Sequence, residues 1–156
     1  MLDQTLAAFL QGPVMMILGT RDARGLPAVA RVVGARVSAD LALVDLFVPT
    51  LQWNSAVEAL GPGDPVALTF CQPADYRAYQ LKGPVRSLAP AGEADLAASQ
   101  TYAAMMRRVL VEFGVQPAQT PFWLTSEALV RITFAPDAAF TQTPGPSAGS
   151  ATGSAA

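Results

Sequence analysis

The sequence predicts a mainly β domain: six short strands, mostly antiparallel, closed or partly closed into a barrel and accompanied by helices. Three observations carry this. Short apolar runs recur along the chain, each bounded by Gly, Pro, Asp or Ser turn chemistry. The links between the early runs are too short for a crossover, so neighbours pair antiparallel as a meander. Only three stretches show helical spacing, and a barrel removes the exposed edges that an open sheet of short strands would leave.

The chain begins with a short helix, with Asp3 as N-cap, Leu6, Phe9 and Leu10 on one face, and Gly12-Pro13 as the stop. Residues 14–19 read as a buried strand. The turn Asp22-Ala23-Arg24-Gly25-Leu26-Pro27 leads to a second strand over 28–37, and Ser38-Ala39-Asp40 to a third over 41–48. From 51 to 60 the period changes, with Trp53, Val57 and Leu60 on one helical face. Residues 66–71 form the fourth strand and 76–88 the fifth. The clearest helix covers 93–113, with Leu96, Ala103, Met106, Leu110 and Phe113 in a stripe and Gly114 as its stop. Residues 128–134 are the last strand. A Pro/Gly/Ser/Ala tail, 143–156, has almost nothing to bury and is expected to be flexible, leaving 1–142 as the domain.

Composition narrows the function. At 156 residues the chain is long enough for one domain with its own core, and 51% hydrophobic against 14% charged residues leaves apolar surface for a subunit interface. A net charge of −2, with nine arginines and one lysine scattered along the chain, argues against a nucleic-acid binder. No apolar run is long enough for a transmembrane helix, no basic n-region opens the sequence, and a single cysteine cannot form an intramolecular disulfide. These point to a cytoplasmic protein without membrane partners. Histidine is absent, which removes much of the commonest acid–base, metal and haem chemistry. Cys71, in a buried-strand pattern, reads as a core residue rather than a reactive thiol. Asp22, Asp40, Asp64 and Asp75 all sit in turns, where aspartate satisfies backbone groups, and form no catalytic set.

Two places suggest binding chemistry. Arg31 lies among small and β-branched residues, where its planar fork would meet a phosphate or pair with a carboxylate on the barrel exterior. The run Tyr76-Arg77-Ala78-Tyr79-Gln80-Leu81-Lys82-Gly83 sets aromatic, amide and cationic groups on a strand, suited to a planar polar ring beside a phosphate or to the rim of a dimer contact. Trp53 reads as a core or interface anchor rather than a ring-stacking partner. Lys82, the only lysine, reads as a solvated strand charge.

Three segments, in order, carry a family likeness: Gly25-Leu26-Pro27-Ala28-Val29-Ala30-Arg31-Val32-Val33-Gly34, then Tyr76 to Gly83, then Phe140-Thr141-Gln142-Thr143-Pro144-Gly145-Pro146. Over residues 5–146 the chain resembles the pyridoxamine 5'-phosphate oxidase-like, FMN-binding split-barrel family. The resemblance implies a six-stranded antiparallel split barrel, a homodimer, and FMN or a deazaflavin as cofactor. It places Arg31 at the phosphate with Val32 beside it and Arg36 as a second basic residue. Backbone groups of Phe47 and Val48, at a strand end, would lie along the flavin ring, Gln52 and Ser55 would lie at the following helix start near the phosphate, and Gln80 would meet the ring's polar edge. Arg31 and Arg36 would face opposite ways on a regular strand and converge only if something such as a bulge at Gly34 shifts the phase.

The chain also departs from the family. Where basic residues are common it has Gln52, Trp53, Asn54 and Ser55, and no basic residue follows Arg131. The histidine–arginine clamp for pyridoxamine phosphate is therefore missing, which argues against pyridoxal phosphate synthesis. The expected function is an FMN-dependent oxidoreductase acting on an unidentified small molecule, in a pocket lined by groups such as Trp53, Phe122 and Trp123. The alternative is a non-catalytic binding or carrier module for a flavin or deazaflavin, or an empty dimeric scaffold.

Overall fold

Alternation of period two builds the barrel wall. In β1 (Met15–Arg21) Met16, Leu18 and Thr20 are buried while Ile17 and Arg21 face out; in β5 (Pro65–Cys71) Val66, Leu68 and Phe70 are buried. The remaining strands are β2 (Pro27–Val32), β3 (Ala35–Val37), β4 (Val44–Pro49), β6 (Ala78–Pro90), β7 (Leu129–Phe134) and β8 (Ala138–Thr141). The helices are α1 (Gln4–Leu10), α2 (Thr50–Trp53) and α3 (Glu93–Glu112), with single 3₁₀ turns at Asn54–Ala56 and Pro117–Phe122. This computed structural model describes residues 2–152.

The sheet runs β2-β1-β5-β6-β7-β4-β3, every pair antiparallel, with β8 added on β6. There are eight strands, not six, and both extra strands have a physical cause. The expected second strand breaks at Gly34, whose φ is +129° and whose Cβ, if present, would lie 3.0 Å from the Phe47 ring. The break closes the barrel. Val33 N–H donates to Phe47 O at 2.8 Å and Phe47 N–H donates to Gly34 O at 3.0 Å, so the β2–β3 chain passes from one half of the sheet to the other. Counted around the barrel, β2 and β3 form one stave of six.

β8 is the other addition. The long β6 pairs with β5 and β8 along its first half and with β7 along its second, with a register shift between Val85 and Ser87. The chain kinks between β7 and β8 directly over Gly83, where Ala135 N–H donates to Pro84 O at 3.0 Å and Asp137 N–H to Lys82 O at 2.9 Å. A Cβ on Gly83 would overlap the Ala135 carbonyl, so only glycine permits this crossing.

Other boundaries differ from expectation, among them the third strand, which starts at Val44 because Leu41 sits in a turn with φ +61°. The fifth strand begins at Ala78, because Tyr76 sits in a turn with φ +58°. The helix expected over 51–60 is four residues long. Beyond Trp53 the chain passes into the 3₁₀ turn Asn54–Ala56, whose Ala56 carbonyl accepts from Thr20 Oγ at 2.8 Å. The tail is not loose through 152: Thr141 N–H donates to Ser150 O at 2.9 Å and Thr152 N–H to Ala139 O at 2.8 Å, so it folds back along β8. The rest of the expected flexible tail, 153–156, lies outside the described residues. Phe47, Phe70, Phe134, Leu18, Leu46, Leu68, Leu81 and Ile132 fill the interior, and Met106 and Tyr102 join them from α3, the Tyr102 hydroxyl donating to Val14 O at 2.8 Å. Among the described residues no helix is long and apolar enough to cross a membrane.

Candidate functional site

The outer face of β2, β1, β5, β6 and β8 carries the candidate site. Strand register places Arg31, Ile17, Thr69, Gln80 and Phe140 in one row across these five strands. The next row holds Val29, Gly19, Ala67, Lys82 and Ala138. Arg31 and Gln80 are therefore three strand spacings apart, roughly 14 Å, on the same face.

Arg31 is half-buried. Its guanidinium lies 6.0 Å from the centroid of the Trp123 ring, and Nη1 is 3.7 Å from Met15 Sδ. No carboxylate of the described residues pairs with it. A half-buried cation whose neighbours are an aromatic ring and a thioether is suited to receive an external anion. At the other end of the row, Gln80 Nε2 donates to Thr69 Oγ1 at 2.8 Å, which orients the amide and leaves its carbonyl oxygen for a partner. Its neighbour Tyr79 turns inward and packs against Phe9 and Phe70, with centroids 5.4 and 5.9 Å away.

Arg36 does not join Arg31. Although the chain changes phase at Gly34, Arg36 Nη2 donates to Asp45 at 2.8 Å and to Asp95 at 2.7 Å, and Arg131 holds the other oxygen of Asp95 at 3.0 Å. Asp95, 2% exposed, also accepts the Gly92 amide at 3.0 Å and so caps α3. Two carboxylates engage the guanidinium of Arg36, and its role here is to join β3 and β4 to α3. The residue pattern that could have revealed this is a charge on each of β3, β4 and β7 with opposite signs across the strand pairs.

The rest of the implied set is dispersed. Val32, Phe47 and Val48 have fully buried side chains, which leaves only their backbone to meet a ligand, and both backbone groups of Phe47 are spent on barrel closure. Gln52 Nε2 donates to Phe122 O at 2.9 Å, which pins the 3₁₀ turn carrying Phe122 and Trp123 beside Arg31. Ser55 is exposed, and the four-residue α2 is too short to present a helix dipole to an anion. Trp53 is half-buried, its Nε1 enclosed without a partner among the described residues. The turn aspartates do what their positions suggest. Asp22 accepts the Arg24 and Leu26 amides, Asp40 that of Ala42, Asp64 that of Gly61 and Asp75 that of Arg77. Among the described residues no group of three His, Cys, Asp or Glu could hold a metal ion.

The fold has known counterparts. A solved F420 reductase superposes with a TM-score of 0.57 at 18% identity, over 88% of this chain and 98% of that one. HupZ of Group A Streptococcus gives 0.56 at 15% identity, over 96% and 100%. The chain is a split barrel. At such identity the likeness is one of fold alone. A pyridoxamine 5'-phosphate oxidase-related, FMN-binding protein of Nostoc punctiforme also matches, with a TM-score of 0.44 at 12% identity over 90% and 79%, too loosely to carry an inference. No protein-family model and no curated protein matches the sequence.

Proposed function

We propose that this split barrel binds FMN across its outer face, with Arg31 at the phosphate and Gln80 at the polar edge of the ring, and acts as a flavin-dependent oxidoreductase on a small molecule. One observation carries the reading: a half-buried guanidinium without a carboxylate partner among the described residues shares a cross-strand row with an oriented amide. Ile17 and Thr69 between them give a shallow, mostly flat floor, suited to a planar ring and an extended phosphate arm. The flavin, when bound, supplies hydride or electron exchange. The chain's own contribution is charge at Arg31, orientation at Gln80, and exclusion of water by Trp123 and Phe122. That one solved protein of this fold is an F420 reductase supports a redox role.

The open side of the site asks for a cover. Ile17, Val29, Leu51, Phe122 and Trp123 are all at least 39% exposed and belong to this face or its margin. A second copy of the chain is the cover we infer, giving a homodimer with the cofactor at the interface. Cys71 is half-buried and in phase with Ala67 and Thr69 on the outer face of β5 rather than in the core; partial burial still pushes its thiol up from its ordinary pKa, which suits an unreactive residue.

A non-catalytic carrier of a flavin or deazaflavin is the second reading, favoured by one specific feature. Gln52, Asn54 and Ser55 offer no cation near Arg31, so the phosphate grip is thin. The test is direct: titrate the purified protein with FMN by fluorescence quenching, and identify any heat-released ligand by mass spectrometry. Saturable binding at one FMN per subunit is expected. A colourless protein that leaves FMN fluorescence unchanged would sink the flavin reading, while tight binding without reduction by any nicotinamide donor would favour the carrier.

A further inference from the structure

A hollow lies not at Arg31 but at the far end of the same face. It has a volume of about 580 Å³, within the range of small-molecule sites. Gly19 and Ala67 form its floor, Pro65 and Pro84 its apolar sides, and Arg21, Lys82 and Asp137 supply its charge. We propose that this hollow binds a compact monocarboxylate with an apolar body.

The floor is low because two neighbouring positions of one cross-strand row carry almost no side chain. The fold does not demand this of Gly19: a Cβ there would meet only Ala67 O at 3.6 Å and Ala67 Cβ at 4.0 Å, ordinary contacts. The glycine preserves space that protein packing does not need. Neither Arg21 nor Lys82 forms an ion pair with a described carboxylate, Asp137 included. Lys82 instead leans over the Phe140 ring, 5.0 Å from Nζ to the centroid. Two cations against one carboxylate leave a single net positive charge, matching a monoanion. The proline and glycine walls suit an apolar body better than a second charge.

The hollow also has a place in the chemistry. Lys82 follows Gln80 by two residues on β6, so the two side chains share the outer face about 7 Å apart. A carboxylate held there would lie beside the ring edge, at the end of the row away from Trp123. This placement as a substrate site rests on the flavin reading; the binding of the anion does not.

Lys82 is the only lysine, so reductive ¹³C-methylation labels Lys82 and the N-terminal amine and preserves both charges. Benzoate, succinate and inorganic phosphate are then titrated into the flavin-free and the FMN-loaded protein. The expected result is a saturable shift of the Lys82 resonance with benzoate, weaker with succinate and phosphate, with the N-terminal signal still. Gly19→Val should abolish it by filling the floor, and Arg21→Gln should weaken it about tenfold or more. Gly19→Ala, which the packing admits, shows whether the strand tolerates the change and should weaken binding in a folded protein. Absence of a saturable benzoate shift, or a shift unchanged in Gly19→Val, overturns the proposal. A benzoate shift in a protein that ignores FMN would remove the flavin and leave the anion site standing.

Discussion

Arg31 and Gln80 stand in one cross-strand row on the outer sheet face, separated only by Ile17 and Thr69, although 49 positions apart in sequence. Arg36, five residues from Arg31, belongs to a different environment altogether, between Asp45 and Asp95. The two arginines should therefore fail differently when truncated. Arg31→Ala should weaken FMN binding by about 2 kcal/mol, some thirtyfold, with little change in melting temperature. Arg36→Ala should leave FMN affinity nearly unchanged and lower the melting temperature, since it strips one partner from a buried aspartate that keeps Arg131 and the Gly92 amide. Fluorescence titration and thermal melts of both variants check this, and equal FMN affinity for wild type and Arg31→Ala would remove Arg31 from the site.

The exposed apolar side chains beside Arg31 predict a homodimer at micromolar concentration. Val29, 58% exposed on β2, is the position where a charge would oppose association without touching the core. Val29→Glu should sediment as a folded monomer with an unchanged circular dichroism spectrum, and should bind FMN more weakly because the cover is lost. A monomeric wild type in the same experiment would remove the interface.

Much of the barrel was legible because its walls obey period two and its turns use Gly, Pro and Asp with a mechanism. What escaped the sequence depends on partners far along the chain. Arg36 looks like an available cation until Asp95, 59 residues away, is placed against it. The stretch 51–60 has helical spacing, yet α2 ends at Trp53 and gives way to a 3₁₀ turn tied to β1 through the Thr20 hydroxyl and the Ala56 carbonyl. β8 is four residues with little β-branched character, and it exists because β6 offers an unpaired edge there. The ordered part of the tail is held by backbone hydrogen bonds to β8, which a composition of small residues cannot disclose.

Asp95 should make the fold acid-sensitive. Burial alone would raise its pKa, but the Gly92 amide and the charges of Arg36 and Arg131 outweigh it and hold the carboxyl below the ordinary value of 3.8. A carboxyl lowered in the folded state is protonated first in the unfolded chain, so its stabilisation is full above about pH 4 and fades as pH falls through the folded value. Wild type should therefore exceed Asp95→Asn in stability at pH 7, and urea midpoints of the two should draw together below pH 4. A gap that stays constant from pH 7 to pH 2.5 would show that the ion pairs contribute nothing beyond packing.

The last prediction concerns pyridoxamine 5'-phosphate. Among the described residues after Arg131 there is no cation at all, and residues 143–150 form bends and turns of small side chains that bring Ala151 back against Phe140. A second phosphate would find nothing there to neutralise it. Of the cations on the face, Arg31 is assigned to the flavin phosphate, while Arg21 and Lys82 line the hollow with Asp137, where one net positive charge suits a monocarboxylate rather than a phosphate dianion. Arg77 is paired with Asp75 at 2.7 Å and stacked over Phe9. From the partner subunit Arg107 could approach, but its Nε already donates to Thr120 at 3.3 Å, and it sits on α3, away from the sheet face. The FMN-loaded protein should accordingly produce no pyridoxal 5'-phosphate from pyridoxamine 5'-phosphate, by absorbance of the aldehyde and by peroxide release. Reduction by a nicotinamide or another external donor is expected instead. Aldehyde formation at roughly one turnover per second or faster would mean that one of these arginines leaves its present partner to act as the clamp, and an Arg77→Ala or Arg107→Ala variant would then show which.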